Sequence, residues 1–231
     1  MVNGSPIIEG FIEAINLIIT LNPQVVEITI RSLYVSLTAT FFAALVALPA
    51  GALIYFYDFR GKHAVVSTLQ TLYALPTVIV GLIMFLLLSN IGPFGFLRLL
   101  YTPGGMIVTQ TVLIIPLLMG LTVSALSGID RDKRYTITAL GASRLQTVTT
   151  IIMEARFAVM SGVLLGFGRA IAEVGTVMIV GGNIRGATRV LTTAIALNTS
   201  MANYSMSIAL GIILLAVALG VNIALSLVQR R

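Results

Sequence analysis

Five stretches of this sequence, roughly 27–56, 64–89, 105–127, 155–180 and 204–228, are apolar along almost their whole length. A helix needs about 20 mainly apolar residues to cross the hydrocarbon core of a bilayer, so these runs predict about five transmembrane helices. Composition agrees: 58% of residues are hydrophobic and only 10% charged, against roughly 25% charged in soluble domains. Most of the surface of such a chain does not face water. The first run exceeds one crossing, which implies tilt or extension beyond the bilayer. Pro49, Pro76 and Pro116 interrupt the first three runs. Each frees a carbonyl that neighbouring helices must satisfy, so kinked helices packed in a bundle are expected. The longest polar stretches, 128–153 and 181–203, are too short to bury cores of their own. The expectation is one all-α membrane domain over residues 1–231.

The remaining charge is a net +6. Its basic residues sit between apolar runs and do not line one polar face, which argues against nucleic acid. With five spans, Arg60, Lys62, Arg131, Lys133, Arg134, Arg144, Arg156, Arg230 and Arg231 fall on one side of the membrane, and Arg31, Arg98, Arg185 and Arg189 on the other. The positive-inside rule then places the N-terminus outside and the C-terminus in the cytoplasm. No Lys or Arg precedes Arg31, and Glu9 and Glu13 stand where a secretory signal would be basic. Residues 5–21 instead segregate Ile8, Phe11, Ile12, Ile15, Ile18 and Ile19 from Glu9, Glu13, Asn16 and Thr20, the pattern of a short helix in the membrane interface. The absence of cysteine excludes disulfides and thiolate metal sites.

The loop after the third span carries a dense set of helix signals. Asp130 or Asp132 suits the start of a short helix reaching about Leu140. Gly141 suits a left-handed cap that ends it. Ser143 and Gln146 form the S-x-x-Q pattern of a capping box, which opens a helix leading into span four. The result is helix, sharp turn, helix. Ala139, Gly141 and Ala142 leave this elbow little bulk, and Arg144 follows it on the second helix. Such an elbow fits a groove on a partner protein, or serves simply as a capped connector.

Span four carries Arg169 and Glu173, four residues apart on one expected helix face. A lone charge at mid-bilayer costs about 2.5–3.5 kcal/mol on insertion scales, so the pair is expected to face a bundle interior or a water-filled path. Gly168, Ala172 and Gly175 form a small-residue ridge beside it. The pair either lines the gate of a pathway or clasps helices together. Gly181, Gly182 and Gly186 then supply turns around Asn183, Arg185 and Arg189, an external loop suited to a passing anion or a delivery protein, or an ordinary solvated turn.

LGAS at Leu140 to Ser143, with Ile151 ten residues after Gly141, resembles the cytoplasmic signature loop of ABC-importer permeases. GR-x₃-E-x-G from Gly168 to Gly175, followed by GGNIRG at Gly181 to Gly186 and TR-x-LTTAI, resembles the permeases for tungstate, molybdate and sulfate. AEVG at Ala172 to Gly175 and MEARF at Met153 to Phe157 look most like the tungstate branch. The resemblance implies a homodimer with the oxyanion pathway between the copies, in the cell membrane of a prokaryote. It implies two cytoplasmic ATPase subunits docked on the elbows at Ala139, Leu140, Gly141, Ala142, Ser143 and Arg144, and an extracytoplasmic binding protein that captures the anion. It implies no cofactor in this chain, ATP and Mg being held by the partner ATPase. No Walker-type G-x₄-GK-[ST] occurs. A secondary anion transporter independent of an ATPase is the alternative, although no convincing repeat relates the two halves. A membrane enzyme fits less well, because His63 has no evident nucleophile or metal-ligand partner in the sequence.

Overall fold

A computed structural model describes residues 6–73, 75–129 and 139–229, and all of its regular structure among them is helical. Helix α1 (Pro6–Ile19) lies against the start of the last helix through Gly10 and Ala14, which are buried. Ser205 donates a hydrogen bond to the Glu13 carboxylate across that contact. Ile8, Phe11, Ile12, Ile15 and Ile19 of the expected apolar face are exposed and Ile18 is half-buried; the helix turns most of its bulk away from the protein and its smallest residues toward it. Asn22 ends the intervening turn by accepting hydrogen bonds from Gln24 N and Val25 N, and Pro23 opens α2 (Pro23–Phe56) at the position where its missing N–H costs nothing.

At 34 residues, α2 is about 50 Å long at 1.5 Å per residue. It outruns a bilayer core of about 30 Å, as the length of the first apolar run implies. Its buried side is a stripe of small residues that includes Ser36, Ala39, Ala43, Ala47 and Gly51. These let it lie close along α5 (Pro103–Ser127); a Cβ at Gly51 would sit 2.8 Å from the Met119 carbonyl oxygen. Without a hydrophobic drive between helices in lipid, such close backbone contact is the source of attraction. Met106, Ile114 and Leu118 of α5 complete the main core against Val35, Ala39 and Ala43. Pro116 sits inside α5 without ending it, as Pro49 does in α2.

Two of the five expected spans are interrupted. Residues 64–89 form α3 (Lys62–Tyr73) and α4 (Thr77–Leu88), whose axes are turned by 97°. Pro76 explains the break, since it lacks an N–H and drives the residue before it out of helical conformation. A short 3₁₀ turn (Gly95–Leu97) and Arg98 in the left-handed region lead on to Thr102, whose hydroxyl caps α5. The fourth span was expected over 155–180. Instead α6 runs Arg144–Ile171 and stops, and after a turn α7 (Gly175–Gly181) packs alongside α4 through Gly81, Met84 and Val180. Helix α8 (Leu191–Ser200) is buried on one side against α2 and α9 (Tyr204–Gln229) through Leu191, Ala194 and Leu210. Among the described residues four helices are long and apolar enough to cross a membrane, and the bent pair makes up to five spans.

Candidate functional site: a polar clasp between interrupted helices

The two breaks meet. A Cβ at Gly175 would lie 3.0 Å from Thr77 Oγ1, so the start of α7 sits directly on the start of α4. Irregular backbone at membrane depth survives only where it is buried in protein or lines a cavity, because its polar groups need partners. Here side chains supply them. Glu173, 2% exposed, accepts the Thr176 N–H at 3.1 Å through Oε1, which satisfies one donor at the head of α7. Its other oxygen receives Arg169 Nη1 at 2.9 Å. The Glu173 carbonyl accepts Thr192 Oγ1 from α8 at 2.7 Å. Gln110 Nε2 of α5 donates to the Ala170 carbonyl at 3.1 Å, beside the Glu173 N–H that the same carbonyl accepts at 3.2 Å past the end of α6.

Arg169 and Glu173 are therefore paired as expected, but on different terms. Arg169 occupies the last turn of α6, whereas Glu173 stands in the turn beyond it. The carboxylate is sealed while the Arg169 side chain is 41% exposed in the isolated chain. Gln110 lies seven residues into α5, about 10 Å from its Pro103 end and about 25 Å from its Ser127 end at 1.5 Å per residue. The clasp thus sits well inside the helical bundle. The guanidinium opens onto a groove between α5, α6 and α9. Sequence reasoning missed Gln110, Thr176 and Thr192. Gln110 had a legible signal, being the one side-chain amide in the apolar run 105–127; the two threonines had none, because threonine is common in membrane helices.

The elbow is built as its caps predict. Gly141 adopts φ +80°, with open space around the position of a Cβ. Ser143 Oγ accepts the Gln146 N–H at 3.3 Å, and Gln146 Oε1 accepts the Ser143 N–H at 2.8 Å. Ala139 and Leu140 are exposed, Ala142 is half-buried, and Arg144 begins α6. The expected first helix of the elbow falls mainly on 130–138, outside the described residues. Leu140, at 81% exposure, presents an aliphatic side chain at the tip.

The loop after α7 is braced from within. Arg189 donates to the Asn183 side-chain and main-chain oxygens, each at 3.3 Å, and Asn183 Nδ2 reaches the Thr193 carbonyl. Arg31 of α2 donates to the Gly186 carbonyl at 2.9 Å and pairs with Glu27. Two of the cations on this end are thus engaged in holding the loop, and Arg185 extends outward with its guanidinium 3.5 Å from Gln24 Oε1. Adjacent residues of α8 tie this loop to the clasp: Thr192 bonds Glu173, and Thr193 receives Asn183.

A bundle of apolar helices with two spans interrupted, and with a buried carboxylate and a partly exposed cation at the break, has the construction of a membrane transport protein. The model of the binding-protein-dependent transport system inner membrane component matches residues 39–231, and the chain belongs to that family. It is 44% identical over 94% of its length to a tungstate uptake system permease protein of Peptoclostridium acidaminophilum, of which it covers 95%. It is 43% identical to a probable anion ABC transporter permease of Haloferax volcanii, over 85% of this chain and 87% of that one. Among solved structures, an inward-facing form of the MetNI methionine ABC transporter aligns with 90% of this chain and 98% of its own at TM-score 0.64 and 17% identity, a likeness of fold alone. The protein is the permease component of an ABC transporter, a multi-pass protein of the inner membrane.

Proposed function

We propose that this chain forms the translocation pathway of an ATP-driven oxyanion importer, with tungstate as cargo and molybdate and sulfate as the next candidates. The observation that carries the reading is Arg169, a cation among apolar helices with 41% of its side chain exposed. A charge there is too costly to face lipid, so that open side faces water, passing anion or a second copy of the chain. Arg169 Nη1 stays on the buried Glu173 carboxylate, and the exposed side of the guanidinium still has donors to offer an oxyanion. The identity to a tungstate permease supports the choice of cargo, and relatives named for sulfate and for molybdate/tungstate support the order of alternatives.

Two copies enclose the pathway, the elbow at Ala139 to Arg144 grips a separate cytoplasmic ATPase, and an extracytoplasmic binding protein delivers the anion to the end that carries Asn183, Arg185 and Arg189. The excess of basic residues at the elbow end supports its cytoplasmic placement. ATP and Mg belong to the ATPase, and nucleotide acts by binding better to one of two packings of the bundle. The exposed, locally rigid elbow supports docking, because a capped turn with Leu140 outward transmits force without deforming. Gly141→Asp is expected to abolish co-purification of the ATPase while membrane insertion is retained; intact co-purification and uptake contradict the docking role. Arg169→Ala is expected to lower uptake at least tenfold more than Arg98→Ala, and equal effects remove the role given to the clasp.

A further inference from the structure

The groove onto which Arg169 opens does not end at the clasp. Its first section, about 570 Å³, runs between α5, α6 and α9 and is lined by Leu121, Leu165 and Asn222. A second section of about 370 Å³ shares Leu121 and Leu165 and continues to Ser161, Phe157 and Gln229 at the elbow end of the bundle. Asn222 and Gln229 are seven residues apart on α9, so they lie on one face, about 10 Å from each other along the axis. Both are exposed, and neither amide is engaged in a hydrogen bond among the described residues. An amide in a helix as apolar as α9 belongs where it meets water or a polar partner. The Ser161 hydroxyl is turned back onto its own helix, donating to the Phe157 carbonyl. Arg156, next to Phe157 in the chain, stacks over that ring, 4.6 Å from its centroid. The groove therefore has the Arg169 guanidinium in its first section and two free amides along its α9 wall.

We propose that this groove is the exit half of the anion route, and that Asn222 and Gln229 are its hydrogen-bond donors, handing a tetrahedral oxyanion from Arg169 toward the elbow end of the bundle. The inference rests on the pathway reading of Arg169 and extends it to residues on a different helix. Amides suit this stretch: they donate to an oxyanion without holding it as a full charge does, so the anion is guided and released.

The chain contains no cysteine, so single-cysteine variants report directly on accessibility. Arg169→Cys, Asn222→Cys, Gln229→Cys and, as a control, the exposed but non-lining Leu227→Cys are assembled with ATPase and binding protein. Each is treated from the elbow side with a negatively charged, membrane-impermeant methanethiosulfonate. The Asn222→Cys and Gln229→Cys variants are expected to react at least tenfold faster than Leu227→Cys, and to be slowed severalfold by tungstate during turnover. Asn222→Leu is expected to cut uptake at least fivefold at unchanged membrane level, with Asn222→Ser retaining most of it. Reaction of Arg169→Cys without reaction at 222 and 229 overturns this route while the pathway reading stands. Failure at all three positions overturns both. An oxidative crosslink between copies at 222, without modification by the reagent, makes Asn222 a dimer contact and overturns the proposal.

Discussion

Glu173 concentrates the physics of this protein in one side chain. Its two oxygens answer a backbone donor at the head of α7 and the guanidinium that ends α6. Removing them leaves a buried N–H without a partner, which costs about 1–3 kcal/mol, and frees a cation. Glu173→Ala is therefore expected to lower the melting temperature in detergent by several degrees more than Glu173→Gln, which keeps an acceptor for Thr176. Equal losses contradict the capping role. The Arg169–Glu173 pairing was legible from i, i+4 spacing alone, but for a reason that only partly held. The spacing assumed one continuous helix, whereas the chain turns at Ala172 and the long arginine side chain bridges the turn. Sequence shows which charges are near neighbours; it does not show that Gln110 and Thr192, 60 and 19 residues away from the carbonyls they satisfy, make that turn affordable.

The elements follow local rules wherever those rules act without distant help. The Ser143 and Gln146 capping pair placed the start of α6, and hydropathy placed the starts of α2 and α5 within about four residues and α9 almost to its ends. Proline effects split two ways: Pro49 and Pro116 are absorbed within helices, while Pro76 separates α3 from α4. What differs is packing. The Tyr73 ring at the end of α3 turns its hydroxyl onto Gly120 of α5, into the space a Cβ there would occupy. Gly120→Ala therefore cannot coexist with this tyrosine rotamer, and overpacking of this kind costs about 1–3 kcal/mol. The expected loss in thermal stability is relieved in the Tyr73→Ala/Gly120→Ala double variant. Additive losses in that cycle contradict the contact. The interruption at 172–174 had no comparable signal, since no proline marks it and its stability comes from four different helices.

On the scale of the whole molecule, two interrupted spans meet at one polar clasp, and the elbow lies at the opposite end of α6, 28 residues of continuous helix away. At 1.5 Å per residue that is a rod of about 40 Å. A tilt applied at Ser143 is thereby delivered at Arg169 without an intervening hinge. The same rod carries Ala158, Gly162 and Leu165 along the groove walls, so its movement changes the width of the proposed exit route as well as the position of the cation. The most direct measurement is uptake of tungstate into proteoliposomes holding this chain, its ATPase and the binding protein. The account predicts uptake that requires ATP, is indifferent to proton and sodium gradients, and is lost in Arg169→Ala but kept in Arg98→Ala. Uptake driven by an ion gradient with no ATP present contradicts it.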